Sequence, residues 1–234
     1  MIVRNLQHVR DRITTACFAT GRNPATVRLL AVSKTFSAEA VIDAMSDGQR
    51  AFGENYITEG VEKIHALKAT FTGTVLPPLE WHCIGPVQSN KTRLVAENFD
   101  WVQSVDRLKI AQRLSEQRPA GLAPLQVCLQ VNLDGGTNKS GVPANEVLAL
   151  AKEVAQLPRL VLRGLMSIPE PAADFLAACV VHQRAKDLFD AINASGELPT
   201  PMDTLSMGMT ADLEAAIHSC STMVRVGTAV FGGR

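Results

Sequence analysis

The sequence predicts an α/β fold: a single (β/α)8 TIM barrel with an extra N-terminal helix. Three observations carry this. Eight short apolar, strand-like runs alternate with amphipathic segments of helical spacing, the pattern of parallel strands joined by right-handed crossovers. The length of 234 residues suits one such barrel. No low-complexity stretch or shift in composition divides residues 1–234, so one domain is expected.

The elements follow in order. Leu6, Val9, Ile13 and Ala16 or Cys17 recur at helical spacing between Ile2 and Ala19, and Gly21 and Pro24 end that helix. VRLLAVS has the length and apolar content of a buried parallel strand. AEAVIDAMSDG then reads as a helix closed by Gly48. The alternation continues with RAFGEN and EGVEKIHALKA, LEWHCIG and NKTRLVAENF, and DWVQSV and RLKIAQRLSEQ. LQVCLQVNL and ANEVLALAKEVAQL come next, followed by LVLRGLMSI and a long helix from AADFLAACVV to LFDAI. DTLSMG and ADLEAAIHS precede MVRVGTAVFG, read as the last strand and its exit. An open doubly wound sheet is the structural rival; eight repeats favour closure.

Bulk properties exclude several classes. Twenty-three basic residues balance 23 acidic ones, so no global field recruits nucleic acid or anionic lipid. No uninterrupted run of about 18 apolar residues is present, so no membrane span is expected. The N-terminal segment carries charge throughout and does not read as a signal peptide. The five cysteines form no CxxC pair and their number is odd. They read as reduced thiols in a cytoplasmic protein and not as a zinc site.

In a barrel, chemistry gathers where strands end. Lys34 leaves the LLAVS strand directly, and a partly desolvated amine there can form a Schiff base with an aldehyde; a surface lysine at a helix start is the alternative. SMGMTADLEAAI places Gly208 and Thr210 before a helix, a setting that suits an anion, unless Thr210 or Asp212 is a plain N-cap. RVGTAVFG adds Gly227 and Thr228, and two glycine loops from neighbouring strands fit the phosphate site often built after strands seven and eight. Arg225 just before that loop is a buried ion pair, a phosphate contact, or a guanidinium facing a cofactor ring nitrogen. His82 is a satisfied core group or a cofactor-facing one, Asn55 a cofactor ligand or a helix cap, and Met166 a ring contact or core.

The motifs LLAVSKT, FGENY, EWHCIGPVQSNK, VNLDGGTNKSG, LRGLMSI, TLSMGMTADLEAAI and STMVRVGTAVFG, in this order, resemble the pyridoxal phosphate homeostasis protein family, also called the proline synthetase co-transcribed homologue family. The resemblance spans nearly the whole chain and rests on the motifs jointly. It implies the barrel of fold-type III pyridoxal-phosphate (PLP) proteins, like the N-terminal barrel of alanine racemase. It further implies pyridoxal 5′-phosphate held as a Schiff base on Lys34, with Arg225 near the pyridine nitrogen. Ser206, Gly208, Gly227 and Thr228 would hold the phosphate, and Asn55, His82 and Met166 would line the ring. Cys83 and Pro86-Val87 stand where the family often has an aromatic and a leucine.

The function so implied is a vitamin B6 carrier that buffers the cofactor in the cytoplasm and supplies it to apo-enzymes. A PLP-dependent amino-acid racemase is the alternative. A two-base racemase of the alanine type needs a group on the second ring face, commonly a partner's tyrosine, and this sequence has one tyrosine, Tyr56. No substantial catalysis is therefore expected, and a barrel without extra dimerising elements is expected to be a monomer. Lys139 in the glycine-rich loop and Lys91 in PVQSNKTR are candidates for a second, weaker cofactor contact.

Overall fold

A computed structural model describes residues 1–72, 78–134 and 140–233. Nine parallel strands run in the order β4-β3-β2-β1-β9-β8-β7-β5-β6, and a β4–β5 pairing closes eight of them into a barrel. The barrel strands are β1 (Arg28–Val32), β2 (Ala51–Glu54), β3 (Glu80–Cys83), β4 (Trp101–Val105), β5 (Leu125–Asn132), β7 (Leu160–Ser167), β8 (Thr204–Ser206) and β9 (Met223–Val226). The ninth, β6 (Val142–Pro143), is a two-residue strand beside Val131 and Asn132 at the end of β5.

Around the barrel run α2 (Ala38–Ser46), α3 (Ile57–Thr70), α4 (Thr92–Asn98), α5 (Leu108–Gln117), α6 (Val147–Ala155), α7 (Phe175–Ala194) and α8 (Leu213–His218). The leading helix α1 (Ile2–Ala19) buries Leu6, Val9, Ile13, Ala16 and Cys17, the face its periodicity predicts. It is stitched to the C-terminal part of the chain. Arg12 pairs with Glu214 at 2.7 Å and donates to the Thr210 carbonyl, and the Asn5 amide reaches the Val230 carbonyl.

Strand side chains alternate between two cores. Ala31, Phe52, Trp81, Cys83, Val102, Leu129, Leu165, Leu205, Val224 and Val226 join the large cluster under the helices. Their neighbours turn inward. Leu30, Val32, Ala51, Ile84 and Met223 form one apolar cluster, and Trp101, Cys128 and Met166 another. The remaining inward positions include His82, Gln103, Ser206 and Arg225, so the barrel interior carries a polar band.

The exit from the last strand is helical. TAVF forms the turn α9 (Thr228–Phe231), closed by Val230 and Phe231 N–H groups on the Gly227 carbonyl. Phe231 stacks on Phe36 at 5.1 Å, which folds the turn back over the start of the β1–α2 loop. Among the described residues no helix is long and apolar enough to cross a membrane, and no group of His, Cys, Asp and Glu could hold a metal ion.

Candidate active site at the C-terminal mouth of the barrel

The C-terminal ends of the strands enclose a cavity of about 540 Å³, within the usual range for a small-molecule site. Its wall combines Lys34, Asn55, Arg225, Gly227 and Thr228 with Val32, Phe36, Ile84, Ile168, Met209, Thr210, Ala211, Gly232 and Gly233. Lys34 and Arg225 are the titratable side chains of this wall among the described residues.

Lys34 is half-buried and leaves the end of β1. Both of its neighbours are gripped from outside the sheet. The Ser33 hydroxyl donates to Glu54 Oε1 at 2.6 Å, and the Ser33 carbonyl accepts from Lys63 Nζ at 2.8 Å. Lys63 also pairs with Glu54 at 2.6 Å and with Glu59 at 3.2 Å. Glu59 Oε1 then accepts from the Thr35 N–H at 2.5 Å. Thr35 has φ +65°, a left-handed conformation that costs a residue with a Cβ. Glu54 is fully buried and its Oε2 has no partner. Burial pushes its carboxyl up from the ordinary value, against the pull of Lys63 and Ser33.

Arg225 lies on the neighbouring strand β9, level with Leu30 of β1, and is almost wholly buried. Its two terminal nitrogens donate to Ser206 Oγ at 2.7 Å and to the Ser167 carbonyl at 2.8 Å. Burial lowers its pKa to about 10, so it stays a cation at neutral pH. Beneath it, Ser206 bonds to Gln103, Gln103 to His82, and His82 to Glu80. Burial lowers the His82 pKa against the pull of Glu80, and the ring stacks on Trp101 at 5.0 Å. Burial also opposes ionisation of Glu80, but His82 and Arg28 outweigh it and hold the carboxyl at about 2. The interior thiols Cys83 and Cys128 are pushed up to about 12, which removes them as nucleophiles near neutral pH.

Two glycine loops complete the wall. Gly208 has φ +92°, and a Cβ there would sit 2.4 Å from the Ala216 Cβ, so only glycine fits. The loop after it is pinned by Asp212. Its Oδ1 accepts from the Met209 N–H at 2.7 Å and its Oδ2 bonds the buried His182 at 2.9 Å. Asp212 stands at the cap position of α8 but makes no side-chain cap bond there. At Gly227 a Cβ would come 3.2 Å from the Val32 carbonyl oxygen.

Of the residues expected from the sequence, Lys34, Asn55, Arg225, Gly227 and Thr228 meet at the cavity. His82, Met166 and Ser206 lie inside the barrel, and Gly208 is buried against Ala216 outside the cavity wall. Asn55 does not cap α3, whose cap position is Tyr56, and its Oδ1 is buried without a partner. Lys91 bonds Thr58 at 3.3 Å and is not part of the wall; Lys139 lies outside the described residues. Sequence reasoning placed Glu54 and Ser167 at strand ends without giving them a role, and missed Lys63 and Gln103. The Ser167 hydroxyl is a further buried group without a partner. A glutamine inside the apolar run DWVQSV was the available signal for Gln103.

The family model for the alanine racemase N-terminal domain matches residues 4–234. A pyridoxal phosphate homeostasis protein of Pseudomonas aeruginosa is 54% identical over 233 residues, covering 100% of this chain and 96% of that protein. A solved structure of a Bifidobacterium adolescentis protein of unknown function superposes with TM-score 0.90 at 34% identity, over 98% of this chain and 94% of that one. PipY of Synechococcus elongatus, solved with PLP bound, superposes with TM-score 0.83 at 32% identity, over 99% of this chain and all of that one.

Proposed function

This chain belongs to the alanine racemase N-terminal domain family and, within it, groups with the pyridoxal phosphate homeostasis proteins; on that premise we propose that it binds pyridoxal 5′-phosphate on Lys34 and acts as a carrier in vitamin B6 homeostasis. The cavity fits that group. It offers one amine, one permanent cation, and the close backbone approach of Gly227 beside Thr228. It also borders a buried polar atom without a partner, Asn55 Oδ1. When bound, the cofactor supplies an aldehyde that condenses with a primary amine.

The chain's own residues divide the work. Lys34 contributes the amine for a Schiff base. Arg225 would serve the ring nitrogen as a fixed donor; because it keeps its proton, it would leave that nitrogen unprotonated and the ring a weak electron sink. Gly208, Gly227 and Thr228 would hold the phosphate, and Asn55 would line the ring. Ser206, whose proton goes to Gln103 and whose oxygen receives Arg225, acts with His82 and Met166 from beneath. Residues 1–234 are read as one cofactor-binding unit, a cytoplasmic monomer that releases cofactor to apo-enzymes.

The composition of the wall carries the choice of carrier over racemase. Besides Lys34 and Arg225, no titratable side chain lines the cavity among the described residues. The single tyrosine, Tyr56, is exposed and outside the wall. A second acid or base for proton transfer is thus lacking from this chain's described wall. The test is borohydride reduction of cofactor-loaded protein followed by peptide mapping. One pyridoxyl label on Lys34 is expected, lost in Lys34→Ala while the fold persists. Full labelling of that variant on another lysine overturns the assignment, and sustained amino-acid racemisation that Lys34→Ala abolishes overturns the carrier reading.

A further inference from the structure

The bonds below Arg225 form a chain whose direction is fixed from one end. A guanidinium can only donate. Ser206 Oγ therefore accepts from Arg225 at 2.7 Å, and with the Gln103 amide oxygen turned toward it, its own proton goes to Gln103 Oε1, also at 2.7 Å. That leaves the Gln103 NH₂ facing His82 Nδ1 at 2.9 Å, with a second contact to Met223 Sδ at 3.1 Å. His82 Nδ1 must then accept, so the ring proton sits on Nε2 and is donated to Glu80 at 2.6 Å. Gln103, His82 and Ser206 are all fully buried.

The opposite amide orientation fails on physical grounds. It would put the Gln103 oxygen against His82 Nδ1 and require a proton there, while Glu80 still requires one on Nε2. The ring would become a wholly buried imidazolium, the form that burial disfavours. One arrangement survives, and every hydrogen bond in it runs from Arg225 toward Glu80.

We propose that Gln103 is a positioning residue for Arg225: by accepting from Ser206 and donating to His82, it locks the guanidinium in the orientation it presents to the cavity. This rests on the carrier reading above for the identity of the ligand, but the lock itself is a property of the cofactor-free protein. Among the described residues, Arg225 has no carboxylate in hydrogen-bond contact that would otherwise hold it. A guanidinium held by its neighbours before the ligand arrives loses less freedom on binding.

The test uses the full chain. In cofactor-free wild type at pH 8, long-range ¹⁵N–¹H correlation should show His82 as the neutral Nε2–H tautomer, and the Arg225 terminal N–H groups as separate, slowly exchanging signals. Gln103→Met removes both links at nearly constant volume. It should merge the Arg225 signals and raise the dissociation constant for PLP about tenfold, the size of one lost buried hydrogen bond, with the label still on Lys34. Gln103→Glu keeps the shape but cannot donate to Nδ1, so His82 should become doubly protonated between two carboxylates. Arg225 signals and PLP affinity unchanged within twofold in folded Gln103→Met overturn the proposal. So does an Nδ1–H tautomer of His82 in wild type. If Gln103→Met does not fold, the wild-type tautomer and the Gln103→Glu protonation state decide. If wild type binds no PLP yet the signals behave as described, the carrier reading falls and the lock stands.

Discussion

The two walls of the cavity are braced from opposite sides of the same sheet and by opposite means. Lys34 is held from outside the barrel, where Lys63, Glu54 and Glu59 grip Ser33 and Thr35 with buried charge and a strained turn. Arg225 is held from inside, by hydroxyl, amide and imidazole groups in sequence. Desolvation makes buried charge expensive, and breaking such a pair leaves an uncompensated ion. Neutral groups cost less to bury but are directional. The lysine wall should therefore respond most to lost charge and to pH, and the arginine wall to lost direction.

The largest effect is expected at Lys63. Lys63→Met strips the only cation bonded to fully buried Glu54 among the described residues, so unfolding in urea should show a loss of roughly 3–5 kcal/mol. Adding Glu54→Gln should restore a large part of it, because the stranded charge goes too. Additive losses in the double variant would mean that Lys63 acts through packing and that the two walls do not differ in kind.

Next comes Ser206→Ala on the arginine wall. It removes one of two Arg225 bonds and orphans the Gln103 oxygen, at a cost of about 1–3 kcal/mol. The loss should be independent of pH between 5 and 8, since no group on that link titrates there. A loss that varies steeply over this range would bring a titrating partner into the chain.

The walls should also show opposite pH dependences. Glu80, at the foot of the inner chain, has its carboxyl lowered from 4.5 to about 2. Its contribution is complete above 4.5 and is lost as pH falls toward 2. Glu54 is raised from 4.5 by burial. Its contribution is complete below 4.5 and is lost as pH rises through its folded value. Glu80→Gln should thus flatten the acid limb of the stability profile. Glu54→Gln should gain on wild type as pH climbs from 4 to 7. Parallel profiles for the two variants would remove the contrast.

The difference between the walls also explains what could be read in advance. Apolar runs such as LLAV and VCLQV and the glycines after them mark strand ends without any tertiary information, and five of the nine expected site residues meet at the cavity. The braces were not legible because they depend on register and facing. Glu54 sits one residue from Asn55, yet it points to the helical layer, to Lys63 on α3. His82 faces inward because Trp81 and Cys83 face the helices, and it lies level with Gly53 and Trp101 on the neighbouring strands. Only strand order brings Gln103 of β4 to Ser206 of β8 across the barrel. TAVF was legible as the exit from the last strand but not as a helical turn, which rests on the Gly227 carbonyl and the distant Phe36 ring.

The smallest expected effect tests whether the turn at Lys34 holds strain for binding or for folding. Thr35 is exposed and sits at φ +65°, where a β-branched residue pays a steric penalty that glycine does not. Its N–H bond to Glu59 is made by the backbone, so Thr35→Gly keeps it. Relief of the Cβ clash should stabilise the fold by up to about 1 kcal/mol, offset in part by the greater freedom of glycine in the unfolded chain. Yet the same freedom loosens the residue next to Lys34, whose amine must reach one point in the cavity. Urea unfolding should therefore show equal or slightly higher stability, while borohydride trapping shows slower or less complete labelling of Lys34. A clear loss of stability would mean that the threonine side chain supports the turn. Unchanged labelling would mean that Glu59 and Lys63 alone suffice to aim the lysine, and the strained turn would then have no part in the bracing of this wall.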